Sequence, residues 1–325
     1  MKRGANAPAA TAARSGLLAV DKPTGITSHD AVARVRRRLR IDAAGHLGTL
    51  DPAASGLLLV ATGAATRCAM VWQGGEKTYE GALTLGIVTD TQDLTGRVLE
   101  RHEVAVDERA LRDAAQGLTG EFEQVPPMVS AIKVGGERLY RLARRGETVE
   151  RVPRRVRVAC WEWLAIALPD ARFRIRCSGG TYVRTLVHDL GQRLGPGASL
   201  AALRRIRSEP FGLERAVALR ELDERPGDEI WARAAIPLDE ALGVLPHLTL
   251  DEAQAAMVGR GGRPVVPLAC VSAPPLSAGP RSLVLRGADG TALALAGLEP
   301  VAEDPAAVRV CPHIDFPWAV REGRA

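Results

Sequence analysis

Residues 45–60 read GHLGTLDPAASGLLLV. Three glycines and Pro52 interrupt any helical period, so the stretch is expected to be a loop. Asp51 stands directly before Pro52, and a residue before proline is pushed into extended backbone. That geometry can present a side chain outward from a rigid turn. A carboxylate held this way near His46 suits a nucleophile or a general base. The same spacing also suits an Asx-turn aspartate with no chemical role, and this stretch alone leaves both readings open.

The flanking pattern predicts an α+β fold. GLLAV (16–20) is a short buried strand. Thr27 and Ser28 are N-cap residues for a helix over about 29–40, with Val32, Val35 and Leu39 on one stripe and Arg34, Arg37 and Arg38 on another face. Tyr79, Gly81, Leu83 and Leu85 alternate with Glu80, Ala82 and Thr84 as in a half-buried strand. A helix carrying Ala110, Leu111, Ala114 and Leu118 follows Asp107. Residues 155–160 and 173–177 alternate as strands with one wet, basic face. After the SGGT turn (178–181) comes a helix with Val183, Leu186, Val187, Leu190 and Leu194 on one side. Ser199 is expected to cap a further helix carrying Leu200, Leu203 and Ile206. Beyond residue 247 the chain is rich in proline and glycine, with a hairpin of Leu283–Arg286 and Leu293–Ala296 around Asp289-Gly290. The expected organisation is a disordered tail (1–15), a large α+β domain (16–246) and a small β-rich domain (247–325).

Composition narrows the function. The 325 residues are 46% hydrophobic and carry a net charge of +5. The five cysteines are scattered without a CxxC pair, which excludes a disulfide scaffold and argues against structural zinc. The histidines show no HxxxH or HExxH spacing, and no nucleotide-binding glycine loop is present, so neither metal nor cofactor is expected. The N-terminus lacks the apolar stretch of a signal peptide, and no apolar run is long enough to span a bilayer. A cytoplasmic protein with no membrane partner is expected. Residues 133–157 hold nine basic groups against three glutamates, among them Lys133, Arg144, Arg145 and Arg154. Such a concentrated patch suggests a polyanion partner, nucleic acid above all, although a solvated face fits it too.

Two further stretches could carry chemistry. CSGGTYVRTLVHDL (177–190) pairs glycines, which permit close backbone approach, with a helix N-terminus bearing Tyr182 and Arg184. Arg184 could pair with a carboxylate or phosphate there, and an ordinary strand-to-helix turn fits as well. KTYEGALTLG (77–86) places Tyr79, one of three tyrosines, at the head of a strand, where a half-buried structural tyrosine is the simpler reading.

Taken together these segments resemble the TruB family of tRNA pseudouridine-55 synthases. The similarity runs through LAVDKPTGITS (18–28), GHLGTLDPAASGLLLV, KTYEGALTLGIVTDTQDLTG, PPMVSAIKVGGERLYRLARRGE (126–147), CSGGTYVRTLVHDLG and ALRRIRSEPF (202–211), in the family's order. Val129 follows PPM where many members carry an aromatic residue. The resemblance implies a pseudouridine synthase fold, a mixed central sheet with flanking helices, plus a PUA-like C-terminal domain. It implies isomerisation of a uridine in the TΨC stem-loop of tRNA without a cofactor, by a monomer, with help in tRNA folding as a compatible second role. It makes Asp51 the nucleophile and leaves open whether C1′, C6 or a glycal route is involved. Arg184 becomes the carboxylate's partner, keeping it ionised. Tyr79 becomes the residue that stacks on the target base, and Tyr182, Leu203 and Lys22 line or support the pocket. His46 takes the place of the flipped-out base. Lys133, Arg144, Arg145 and Arg154 are expected to meet the RNA backbone.

Overall fold

Leu17 to Val20 are all apolar, so strand β1 (Gly16–Lys22) is buried on both faces. This computed structural model describes residues 14–130, 132–139, 142, 145–147, 149–272 and 282–318. Helix α1 (Ser28–Leu39) follows, capped by Thr27, whose hydroxyl accepts from Asp30 N at 3.1 Å while the Asp30 carboxylate accepts from Thr27 N at 3.0 Å. Strands β2 (Ala44–His46) and β3 (Ser55–Thr62) then run antiparallel to one another. The loop expected over 45–60 is thus confined to 47–54. The run Leu57–Val60 forms a strand because both of its faces find apolar cover.

The chain continues through β4 (Lys77–Leu85), α2 (Glu108–Gln116, capped by Asp107), β5 (Gly120–Gln124), β6 (Arg154–Ala167), β7 (Asp170–Cys177), α3 (Val183–Leu194) and β8 (Ala198–Ser208). Their order in the large sheet is β1, β3, β8, β4, β7, β6, β5. The sheet is mixed: β8 lies parallel to β3, and the other neighbours in this order are antiparallel.

Strand β8 corrects an expectation. Residues 198–208 do not form a helix. Register shifts lie between Leu200 and Ala202 and between Arg205 and Arg207 where β8 pairs with β4. Each inserts an extra residue, so Leu200, Leu203 and Ile206 fall at a spacing that imitates a helix.

Three apolar clusters organise the large sheet. One joins α1 to Leu18, Val20, Leu58 and Val60, and another joins α2 and α3 to Leu83, Phe173 and Ile175. Tyr79 and Leu203 pack against both clusters. A third cluster, on the opposite faces of β1 and β3, joins Leu17, Leu57 and Trp72 to Val284, Leu295 and Phe316 from the end of the chain.

Those last residues belong to a second sheet of β9 (His247–Thr249), β10 (Val265–Pro267), β11 (Leu283–Arg286), β12 (Ala292–Val301) and β13 (Asp304–Asp315), ordered β9, β11, β12, β13, β10. The β11–β12 turn is the expected one, with Gly290 at φ 83° and the Asp289 carboxylate accepting from Thr291 N at 3.0 Å. This sheet has its own core around Leu248, Leu285 and Val310, and Trp318 ties it down by donating to Ala292 O at 2.8 Å. Most of the N-terminal tail lies outside the described residues. Arg14 and Ser15 belong to the fold: Arg14 O accepts from Thr62 Oγ1 at 2.8 Å and Ser15 Oγ accepts from Ala64 N at 3.0 Å. Among the described residues no helix is long and apolar enough to cross a membrane.

Candidate active site

The 47–54 loop is pinned from several sides. The Ser28 hydroxyl donates to Leu50 O at 2.9 Å and accepts from Leu50 N at 2.8 Å. Gly25 N donates to Pro52 O at 2.8 Å, and Ala54 N donates to Asp51 O at 3.0 Å. Since Thr27 caps α1, Ser28 is free to hold the peptide next to Asp51.

Asp51 meets Arg184 across the sheet. Gln124 fixes the entry to α3, accepting from Tyr182 N at 2.8 Å and donating to Tyr182 O at 3.1 Å. Arg184, in the first turn, is 4% exposed. Its Nε lies 2.9 Å from Asp51 Oδ2, Nη1 donates to Thr91 O at 2.8 Å, and Nη2 donates to Val129 O at 2.8 Å. Asp93 Oδ2 sits 3.7 Å from Nη1, and its other oxygen is held by Thr91, Thr95 and the Thr95 N–H. A cation at a helix N-terminus opposes the macrodipole; two carboxylates and two carbonyls offset that here. The contact from Val129 is made by its carbonyl and does not depend on its side chain.

A cavity of about 220 Å³ opens beside this pair. Asp51, Tyr79, Tyr182, Leu203, Arg184 and Arg205 are among its walls. The Asp51 side chain is 41% exposed and lines this cavity. Burial pushes its carboxyl above the ordinary range, Arg184 pulls it back, and Asp93 adds to the rise. The pairing expected from the sequence is present, yet desolvation outweighs it. Burial likewise pushes the Tyr79 and Tyr182 hydroxyls up, so both stay protonated at neutral pH.

Lys22 and His46 lie outside the cavity walls. Lys22 is fully buried and donates to Pro23 O at 2.8 Å and Ile26 O at 2.9 Å. Burial pushes it down to about 8, against the attraction of Asp51. It thus stands behind the loop, near enough for its charge to act on Asp51. His46 sits half-buried on β2 opposite Val60.

The basic residues of 133–157 divide. Arg145 is bound to Glu137 and Glu147, both at 2.6 Å, and so is largely neutralised. Arg154 is exposed and near enough to Tyr182 to act on its hydroxyl, with no carboxylate within ion-pair distance among the described residues. Arg144 lies outside the described residues, as does the side chain of Lys133. Sequence reasoning missed Arg205, Asp93, Ser130 and Lys77. Lys77 is 5% exposed, lines the cavity and donates to Gln73 O at 2.6 Å. Among the described residues no group of His, Cys, Asp and Glu is arranged to hold a metal ion.

The mixed sheet, the carboxylate–guanidinium pair beside a small cavity and the β-rich terminal domain place the chain in the pseudouridine synthase class of folds, with a PUA-like C-terminal domain. A chain in the crystal structure of a Cbf5-Nop10-Gar1 complex is similar to it with a TM-score of 0.72 and 27% identity, covering 95% of this chain and 88% of that one. A chain in the structure of an H/ACA RNP bound to a substrate RNA containing 2'-deoxyuridine gives a TM-score of 0.67 and 25% identity, covering 93% and 84%. Residues 36–183 match the family described as TruB family pseudouridylate synthase (N terminal domain), and residues 184–243 match the tRNA pseudouridylate synthase B C-terminal domain. The tRNA pseudouridine synthase B of Opitutus terrae is 50% identical over 227 residues, covering 70% of this chain and 94% of the relative. That of Burkholderia pseudomallei is 46% identical over 251 residues, covering 77% and 83%. The chain belongs to the TruB family of pseudouridine synthases.

Proposed function

We propose that the protein isomerises uridine 55 in the TΨC loop of tRNA to pseudouridine, with Asp51 as the nucleophile. The observation that carries this reading is the 2.9 Å contact between Asp51 and the buried Arg184 at the edge of a small cavity that Tyr79 also lines. A uridine in a folded loop is inaccessible to a side chain until it leaves its stack, and an aromatic face with an apolar wall stabilises it outside. Tyr79 supplies the face and Leu203 the wall. The reaction breaks the N1–C1′ bond, turns the uracil ring, forms the C5–C1′ bond, releases the C5 proton to solvent and leaves N1 carrying a proton in its place. It is redox-neutral and takes up no water.

Asp51 acts in its ionised form, which Arg184 favours from one side. Arg154, exposed and near enough to act on Tyr182, is expected to meet a backbone phosphate. The cytoplasm, where tRNA is found, is the compartment this function requires.

The test is to incubate unmodified tRNA transcripts with the purified protein and map the modified uridines. Pseudouridine at position 55 is expected. Free uracil in place of an isomerised base, or pseudouridine only at other positions, would overturn the proposal.

A further inference from the structure

We infer that Arg205 is a positioning residue for the reaction, holding both ends of the Asp51 loop in place beside Tyr79. The inference rests on the reading of Asp51 and Tyr79 just given. Arg205 is 2% exposed and lies on β8, two residues beyond Leu203. Its Nε donates to Leu57 O at 2.7 Å and its Nη2 to Gly48 O at 3.1 Å. These carbonyls bracket Asp51, one before it in the chain and one after. Arg205 and Tyr79 both line the cavity, and the guanidinium is near enough for its charge to act on the Tyr79 hydroxyl.

The backbone brings the same three pieces together. Arg205 lies opposite Tyr79 in the β4–β8 pair and opposite Gly56 in the β3–β8 pair. A Cβ on Gly56 would fall 2.2 Å from Arg205 O, and Gly56 has φ +99°, so this approach requires glycine. One side chain thus spans the loop, the strand that follows it and the tyrosine across the cavity.

A purely structural reading fits this residue poorly. Burying a cation is unfavourable unless an anion answers it, and among the described residues no carboxylate lies within ion-pair distance of Arg205. A neutral donor could hold Leu57 O and Gly48 O without that desolvation. What the guanidinium adds is a planar fork that reaches two carbonyls at once, which lysine cannot reproduce. It also adds a fixed positive charge on the cavity wall, where it acts on Tyr79.

The experiment compares Arg205→Gln and Arg205→Lys with wild type and Asp51→Asn, measuring pseudouridine formation and tRNA affinity separately. For both Arg205 variants kcat is expected to fall ~100-fold, the usual consequence of a misplaced reacting group, while KM and tRNA affinity stay within about threefold. Millimolar guanidinium is expected to restore part of the Arg205→Gln rate. In a Tyr79→Phe background the Arg205→Gln loss should be less than additive. Should Arg205→Gln fail to fold, Arg205→Lys keeps the charge and carries the same comparison. A kcat within about threefold of wild type, a loss confined to KM, or full additivity with Tyr79→Phe would overturn the inference. An active Asp51→Asn would instead sink the reading of the site, whereas an inactive Asp51→Asn beside a normal Arg205→Gln sinks this inference alone.

Discussion

Replacing Arg184 by methionine keeps the side-chain length and removes the cation. Three contacts at 2.8–2.9 Å disappear, from Asp51, Thr91 O and Val129 O, and two carboxylates are left facing one another. Breaking a buried ion pair from one side destabilises by about 3–5 kcal/mol. Asp51 opens onto the cavity and can rehydrate, so the lower end of that range, about 3 kcal/mol, is expected. On the proposed role Asp51 reacts ionised, and since Arg184 favours that form, the acid limb of the kcat profile should move to higher pH. Single-turnover rates from pH 5 to 9, with denaturant unfolding of the same samples, measure both effects. Adding Asp51→Asn removes one of the unpaired carboxylates and should return ~1–2 kcal/mol of the lost stability. An acid limb that stays put, or a double variant no more stable than Arg184→Met, would refute the electrostatic account of the pair.

Other consequences are independent of that pair. Lys22 titrates near 8 in the fold and at 10.5 as a free side chain. Between these values the unfolded chain binds more protons, so wild type should gain about 3 kcal/mol over Lys22→Met as pH rises from 8 to 10.5, and a flat difference in unfolding free energy contradicts this. Ser28→Ala leaves the Leu50 N–H buried without its acceptor, and urea unfolding should show a loss of about 1–3 kcal/mol while α1 keeps its Thr27 cap. Arg154→Ala should lower the slope of log affinity for tRNA against log salt by about 0.7–0.9, whereas Arg145→Ala, already paired with two glutamates, should leave it nearly unchanged.

Much of the large sheet was legible because its strands and helices keep a clean period. The α1 stripe of Val32, Val35 and Leu39 and the alternation from Tyr79 to Leu85 give each element one buried face. Asp51, Tyr79 and Arg184 stood out by local oddities (a pre-proline carboxylate, a strand-end tyrosine and an arginine opposing a helix dipole), while their roles, and that of Tyr182, came from the family resemblance. Arg205 was hidden by the error over β8. Read as a helix, Leu203 and Arg205 point apart; in a strand, residues two apart share a face, and Arg205 joins Leu203 on the cavity wall. Asp93 sits in a polar stretch, TDTQD, where nothing local separates it from a turn aspartate. Its approach to Arg184 comes only from tertiary packing. The shared core of the two sheets was equally invisible, since it joins residues as far apart in the chain as Trp72 and Phe316.

The most direct test of the account is a single-turnover reaction of Asp51→Asn with tRNA carrying tritium at uracil C5. The variant is expected to bind tRNA with an affinity within about threefold of wild type and to release no tritium beyond background, because the group lost acts in the reaction step. Tritium release approaching the wild-type rate would show that the bond to the base is broken without this carboxylate.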